Sequence, residues 1–243
     1  MSKKINFIFH IFSLFSLLFS NSHKLPKYLY NDWKSTVRVI SNYGSGYEAV
    51  CHGEVVSSTK NKVFVITAAH CFPQKEIIEL YNKKNKYITK RIKNIQIFAR
   101  GRNYTSCKLL SRNKYIDTAF LSCNYKNFIY HIKYAKNYYF GEKIFSFKYP
   151  ISFYKEISNG IIIKRDINSS VIGPNNKIII IKKEIKCQMS DRSGMSGTGV
   201  FNMNGNLIGI VSLGISEFQI TYFVPFVYLK KGSKKLKYIP LDN

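Results

Sequence analysis

The stretch SDRSGMSGTGVFNMNGNLIGIV, residues 190–211, decides the fold, because it places a serine among glycines directly before a hairpin signal. Such a serine occurs in phosphate-binding loops, in the serine elbow of α/β-hydrolases and in nucleophile loops that lead into a hairpin. The first two require a helix after the glycines. Asn204-Gly205 between two apolar runs predicts a β-hairpin instead, and Thr198 stands where the elbow requires glycine. The third kind of loop, with Ser196 as nucleophile, remains.

The rest of the chain also has a strand pattern. Short runs rich in β-branched and aromatic residues alternate with Asn, Gly or Lys clusters about every 8–12 positions. Examples are STVRVI (35–40), KVFVITAA (62–69) and NLIGIVSLG (206–214). This pattern predicts an all-β sandwich or barrel, with a short helix expected only near the C-terminus around PFVYLKK (225–231). Residues 123–143 are the least strand-like, and a two-lobed protein would cross over there.

The first 22 residues have the three-part pattern of a secretory signal. MSKK is positively charged, INFIFHIFSLFSLLF (5–19) is mostly apolar, and SNS offers small residues for cleavage. We therefore expect a signal peptide over 1–22, an N-terminal segment over 23–34 and a secreted mature protein. The alternative is an uncleaved membrane anchor, which the short run with Asn6 and His10 disfavours.

The chain is strongly basic, with a formal net charge of +25. Clustered cations would indicate nucleic-acid binding, but the lysines and the tyrosines are both spread along the whole chain. The largest local group, LKKGSKKLK (229–237), is typical of a solvated terminal face. We expect no specific nucleic-acid site, although acidic substrates are attracted to such a charge.

A serine nucleophile needs a histidine to take its proton and a carboxylate to orient that histidine. His70 ends the apolar run VFVITAAHC (63–71), which would present it at a strand end. Asp117 lies in YIDTAFLSC (115–123), where burial requires a partner such as an imidazole N–H. Asp166 stands beside basic residues at a turn and is the weaker candidate.

TAAHC (67–71), DTAFL (117–121) and GMSGTGV (194–200) together resemble the histidine, aspartate and serine motifs of chymotrypsin-fold (trypsin-like) serine proteases, in that family's chain order. The similarity covers about residues 35–230, and it departs from the usual Gly-x-Ser-Gly-Gly-Pro at Thr198 and Gly199. The resemblance implies two antiparallel Greek-key β-barrels, here residues 35–130 and 131–243, with the active site in the cleft between them. It also implies a disulfide between Cys51 and Cys71.

The resemblance further implies the roles of the site residues. Ser196 attacks the scissile carbonyl, His70 takes and returns the proton, and Asp117 holds the imidazole tautomer. The backbone N–H groups of Gly194 and Ser196 form the oxyanion hole.

Substrate-binding residues follow from the same resemblance. Ser212 and Gly214 would bond the substrate backbone as an added strand. Ser190 corresponds to the base of the specificity pocket. A serine there argues against a Lys/Arg-selective pocket and favours an apolar or aromatic residue, although Asp191 lies next to it.

One departure concerns activation. Many family members pair a freed N-terminus with an aspartate directly before the nucleophile, but this chain has Met195 there and no Ile-Val-Gly-Gly segment. We therefore expect a site that is formed without N-terminal insertion. Cys107 and Cys123 bracket Asp117, and their pairing stays open, while Cys187 has no evident partner. No Cys-x-x-Cys or His-x-x-x-His pattern occurs, so we expect no metal and no cofactor.

The leading hypothesis is a secreted, monomeric serine endopeptidase that acts on proteins or peptides, acidic ones included, through an acyl-enzyme. The alternative is a catalytically silent member of the fold that binds a protein or a polyanion. Its support is the net charge and the replacement of Gly-Pro by Thr198-Gly199.

Overall fold

The apolar runs of the sequence become the strands of two barrels. The computed structural model describes residues 34–44, 47–72, 76–78, 88–90, 92–98, 105–125, 132–148, 156–172, 178–190 and 194–228. The expected signal peptide, the N-terminal segment up to residue 33 and the basic tail from residue 229 lie outside these ranges. The prediction of an all-β fold with two antiparallel barrels is confirmed.

The first barrel is closed by six antiparallel strands. They are β1 (Thr36–Gly44), β2 (Tyr47–Ser58), β3 (Lys62–Thr67), β6 (Asn94–Phe98), β7 (Thr105–Asn113) and β8 (Thr118–Asn124). A separate two-stranded sheet, β4 (Glu76–Ile78) with β5 (Ile88–Lys90), lies between β3 and β6 in the chain. A 3₁₀ turn, Ala69–Cys71, follows β3 directly.

The second barrel is also closed by six strands. They are β9 (Lys143–Lys148), β10 (Glu156–Ile172), β11 (Ile178–Met189), β12 (Gly199–Asn202), β13 (Leu207–Ile215) and β14 (Ile220–Pro225). A 3₁₀ turn, Ser216–Phe218, connects β13 to β14. Residues 226–228 are helical, in the segment where the sequence predicts the C-terminal helix. No helix in the described ranges has the length and apolar character of a membrane span.

The two barrels share one topology. Going around the first barrel, the order is β1-β2-β3-β8-β7-β6, and around the second it is β9-β10-β11-β14-β13-β12. In each case the first three strands of the unit are followed by its sixth, fifth and fourth. The turn before β8 carries Asp117, and the loop before β12 carries Ser196.

The buried core is continuous from one barrel to the other. Phe145 and Phe201 of the second barrel stack with ring centroids 5.4 Å apart, and Phe147 meets Phe201 edge-on at 5.9 Å. The same buried cluster contains Val39 and Leu121 of the first barrel. Burial of these apolar side chains therefore holds the barrels together as well as filling them.

Two disulfides lie in the first barrel. Cys51 and Cys71 are bonded, the pairing that the resemblance implies, and Cys107 is bonded to Cys123 on the neighbouring strand. Cys187 is fully buried in the second barrel, where its thiol donates to the carbonyl oxygen of Thr221 at 3.2 Å. The pairing that the sequence left open is thus a cross-strand bond between β7 and β8.

Replacing Phe201 by alanine should lower the free energy of unfolding by about 3–5 kcal/mol, because it leaves a cavity between two other phenylalanines. Phe218→Ala is the matched control, since Phe218 is 67% exposed. Urea unfolding with the disulfides intact measures both variants. Equal unfolding midpoints for the two would contradict the assignment of Phe201 to the shared core.

Candidate active site

His70 lies where β3 ends. The apolar run of β3 continues through buried Ala68 and Ala69 into the 3₁₀ turn, which turns the next side chain outward. The His70 side chain is 47% exposed, and its Nδ1 lies 2.8 Å from Oδ2 of Asp117. Its backbone N–H donates to the other oxygen, Oδ1, at 2.9 Å. Both the ring and the backbone of His70 are therefore fixed by one carboxylate.

Asp117 is buried, and its carboxylate receives three hydrogen bonds. Besides the two from His70, the hydroxyl of Ser212 donates to Oδ2 at 2.6 Å. Asp117 itself lies in the turn directly before β8 with φ of +43°. An ionised carboxylate is an acceptor only, so three donors suit it. Donation to Asp117 requires the proton on Nδ1, which makes Nε2 the acceptor nitrogen of a neutral ring.

The loop that carries Ser196 turns sharply at two glycines. Gly194 has φ of +92° and Gly197 has φ of +86°, conformations that favour glycine. The backbone N–H of Gly197 donates to the carbonyl of Val211 on β13 at 2.7 Å. The loop closes with a tight turn in which the N–H of Thr198 donates to the carbonyl of Met195 at 2.9 Å.

The serine loop packs against the end of the strand that carries the histidine. A Cβ atom added to Gly197 would collide with the carbonyl oxygen of His52 and the hydroxyl of Thr67, and would lie 3.0 Å from the backbone nitrogen of Ala68. Ala68 is two residues from His70. On its other side the loop bonds β13 one residue before Ser212, which contacts Asp117. The loop and the His70–Asp117 pair therefore converge at the junction of the barrels.

Strand β2 contributes contacts that the sequence did not predict. The backbone N–H of His52 donates to the carbonyl of Ser196 at 2.8 Å, and its Nδ1 lies 2.6 Å from the carbonyl oxygen of Gly194. Glu54 is fully buried and accepts the N–H of Gly199 at 2.8 Å. The sequence feature that could have pointed to Glu54 is an acidic residue inside the mostly apolar run CHGEVV (51–56).

Glu54 gives a physical reason for the departure at Gly199. A proline at this position has no N–H, so it could not donate to the buried carboxylate. A larger residue is also disfavoured, because a Cβ on Gly199 would lie 2.6 Å from Cγ of Glu54. The second oxygen of Glu54 accepts from the hydroxyl of Ser35 at 2.8 Å. The glycine at position 199 is thus matched to this chain's own β2.

The C-terminal part of β13, residues 212–215, has one edge beside the serine loop that pairs with no strand among the described residues. β12 pairs with β13 from Leu207 to Ile210, whereas β14 pairs with the opposite edge from Gly209 to Ile215. Gly214 is exposed in this stretch, and Ser212 is buried by its contact with Asp117. An extended peptide can be added to such an edge by backbone hydrogen bonds.

The residues expected to form the specificity pocket are only partly described. Ser190 is exposed at the end of β11, and its carbonyl accepts from the hydroxyl of Ser158 at 2.7 Å. Residues 191–193, Asp191 among them, lie outside the described ranges. Met195 is buried, with 3% of its surface exposed.

A third buried carboxyl group, Glu184 on β11, interacts electrostatically with Asp117. The hydroxyl of Ser169 donates to its Oε2, whereas Oε1 has no hydrogen-bond partner of normal geometry among the described residues. Burial raises the pKa of Glu184 to about 7, and the Asp117 carboxylate adds to this rise. Ser169, Ser212 and the charge of His70 oppose it.

The ligand atoms of Cys51, His70 and Cys71 lie within 4.8 Å of one another, a grouping that resembles a metal site. The two sulfur atoms are bonded to each other, so neither is a thiolate donor. This grouping therefore does not fit a metal ion.

Glu184 should make the protein less stable as pH rises. An unfolded glutamate ionises near its ordinary pKa of 4.5, while the folded one keeps its proton up to about pH 7. The folded state then binds more protons than the unfolded state, so this contribution is complete below pH 4.5 and is lost as pH rises through 7. The loss should reach about 3 kcal/mol.

Urea unfolding of the wild type and Glu184→Gln at several pH values between 4 and 8 measures this effect. Glutamine keeps an acceptor for Ser169 but has no charge. We expect the difference in unfolding free energy between the two proteins to shift against the wild type across this range. A difference that stays constant would refute the assignment.

Comparisons with known proteins agree with this fold. A sequence model described as a trypsin-like peptidase domain matches residues 35–210. The active form of the Rv3671c protease from M. tuberculosis superposes with a TM-score of 0.68 at 15% sequence identity, covering 87% of this chain and 84% of that one. An inactive form of the same protease, carrying a serine-to-alanine mutation, gives a TM-score of 0.62 at 14% identity, covering 89% and 93%. No curated protein sequence matches the chain significantly.

Proposed function

Because the chain belongs to the trypsin-like peptidase domain family, we propose that it is a serine endopeptidase with the triad Ser196, His70 and Asp117. The observation that carries the proposal is the set of three hydrogen bonds on Asp117. These bonds orient the imidazole and fix its tautomer, which a catalytically silent relative has no need to keep. The departure at Gly199, which favoured the silent alternative, is accounted for by Glu54.

The reaction follows from this arrangement. Ser196 Oγ attacks the scissile carbonyl carbon while Nε2 of His70 takes its proton, and Asp117 stabilises the imidazolium that forms. The N–H groups of Gly194 and Ser196 stabilise the oxyanion. Nε2 then protonates the leaving amine as the C–N bond breaks, which leaves an ester on Ser196. Water attacks this acyl-enzyme with His70 again as base, and the acid product leaves with Ser196 restored.

The open edge of β13 supports a polypeptide substrate. A peptide that extends along residues 212–215 would form backbone hydrogen bonds whatever its side chains, and Gly214 leaves room for its approach. Ser190 at the pocket base supports an apolar or aromatic side chain before the scissile bond. The net charge of +25 supports faster association with acidic substrates.

We propose further that the enzyme is secreted, acts as a monomer and needs no cofactor. The N-terminal signal pattern supports secretion, and two disulfides suit an oxidising compartment. The apolar, buried Met195 supports a site that forms without insertion of a charged N-terminus.

A fluorophosphonate serine-hydrolase probe should label the wild-type protein but neither Ser196→Ala nor His70→Ala. The exposed Ser106 on β7 provides the control, and Ser106→Ala should label like the wild type. Mass spectrometry of the labelled peptide identifies the modified residue. Absence of labelling in folded, disulfide-bonded wild type would favour the silent binding protein instead.

Asp117→Asn should reduce kcat by about 10⁴-fold, because an amide at this position stabilises the wrong imidazole tautomer and no imidazolium. Steady-state hydrolysis of a fluorogenic peptide measures the loss, with circular dichroism to verify the fold. A reduction below about tenfold would show that Asp117 is not the orienting carboxylate.

Activity should not depend on a free N-terminus. Protein that begins at His23 behind an uncleaved tag should match the same protein after tag removal in kcat, because Met195 cannot form an ion pair. Activity that appears only when the tag is removed would contradict a site formed without insertion.

A further inference from the structure

His52 makes two contacts with the serine loop from the opposite barrel. Its backbone N–H donates to the carbonyl of Ser196 at 2.8 Å, and its ring Nδ1 lies 2.6 Å from the carbonyl oxygen of Gly194. His52 is buried, with 3% of its surface exposed. Since a carbonyl oxygen is an acceptor only, Nδ1 must carry a proton and donate. The bond is the same whether the ring is neutral in this tautomer or protonated on both nitrogens.

The ring is presented by a part of the fold that cannot easily move. β2 is paired with β1 at Arg38↔His52 and with β3 at Gly53↔Thr67. The next residue, Gly53, allows close packing there, because a Cβ on it would lie 2.6 Å from a methyl group of Val65. The imidazole is thus a fixed donor, one residue after the Cys51–Cys71 disulfide.

One of the two proposed oxyanion-hole N–H groups belongs to a glycine, and a fixed donor such as His52 can hold that flexible residue in place. Gly194 has φ of +92°. Glycine adopts this conformation without steric cost, but it can also change to other backbone conformations without steric cost. The proposed hole uses the N–H of this residue, so a rotation that turns this N–H away from the oxyanion removes a donor. Met195, which follows, offers no charge through which the loop could be fixed.

We propose that His52 is a positioning residue for the oxyanion hole, its Nδ1–H bond to the Gly194 carbonyl holding the loop with the Gly194 and Ser196 N–H groups in the catalytic orientation. This inference rests on the proposed function, since it assumes that Ser196 is the nucleophile. It differs from a purely structural role of the histidine in one respect. Loss of the bond reduces stabilisation of the transition state and leaves substrate binding along β13 unchanged.

Two amide substitutions test the donor position. The side-chain nitrogen of asparagine in His52→Asn reaches about as far as Nδ1, whereas in His52→Gln it reaches about as far as Nε2. Each places one neutral amide in the same buried site. We expect His52→Gln to lower kcat by about 10²-fold, the usual effect of losing one oxyanion donor, with KM nearly unchanged. His52→Asn should recover most of this loss.

A peptidyl aldehyde gives the second readout, because its adduct with Ser196 carries the oxyanion that the hole stabilises. Its affinity should fall in His52→Gln in proportion to kcat, while the affinity of the corresponding peptide acid, which forms no adduct, stays the same. Thermal unfolding of both variants reports any general destabilisation. Equal kcat values in the Asn and Gln variants, or equal losses in aldehyde and acid affinity, would overturn the proposal.

The outcome is separable from failure of the proposed function. If Ser196 is the nucleophile, His52→Gln is still labelled completely by the fluorophosphonate, but more slowly than the wild type. Wild type that is not labelled, or Ser196→Ala that is, refutes the triad itself. Labelling of His52→Gln at the wild-type rate, with Ser196→Ala unlabelled, leaves the triad intact and refutes the role of His52.

Discussion

Three hydrogen-bond donors meet on the buried carboxylate of Asp117, and they come from both barrels. His70 supplies a ring and a backbone N–H from the first barrel, and Ser212 supplies a hydroxyl from the second. A buried carboxylate without partners would be strongly destabilising, so this group favours the docked arrangement in which all three donors are present. The requirement to satisfy one charge therefore aligns the strand end that carries the histidine with the strand beside the serine loop.

Strand β2 of the first barrel also satisfies buried polar groups of the second barrel. Glu54 satisfies the N–H of Gly199, and His52 satisfies the carbonyls of Gly194 and Ser196. The loop of the second barrel is thus fixed by polar groups of the first. Removing the partner of a buried polar group costs free energy. Small shifts of one barrel against the other are therefore unfavourable. These contacts restrict the conformations that the glycine-rich loop can adopt.

Much of this could be predicted from sequence. Asn204-Gly205 predicted the hairpin that excluded the helical alternatives. The short apolar runs predicted an all-β sandwich or barrel, and the family resemblance implied two barrels. Asp117 was expected within an apolar strand run, yet it lies in the turn before β8 with positive φ, which a residue pattern does not reveal. The parts that could not be predicted depend on contacts between segments far apart in the chain. His52 meets Gly194 across 142 positions, and no local pattern in either segment encodes that contact.

The repeated strand order of the two barrels has a consequence for when the site comes into existence. Each barrel closes by joining its first strand to its fourth, so each unit can close its ring of strands without the other. Neither unit contains both the histidine and the serine. A chain with one finished barrel, or with two that are still separate, has no assembled catalytic centre. On the proposed function, hydrolytic capacity would require both barrels to be folded and docked, so that incompletely folded copies would not attack one another.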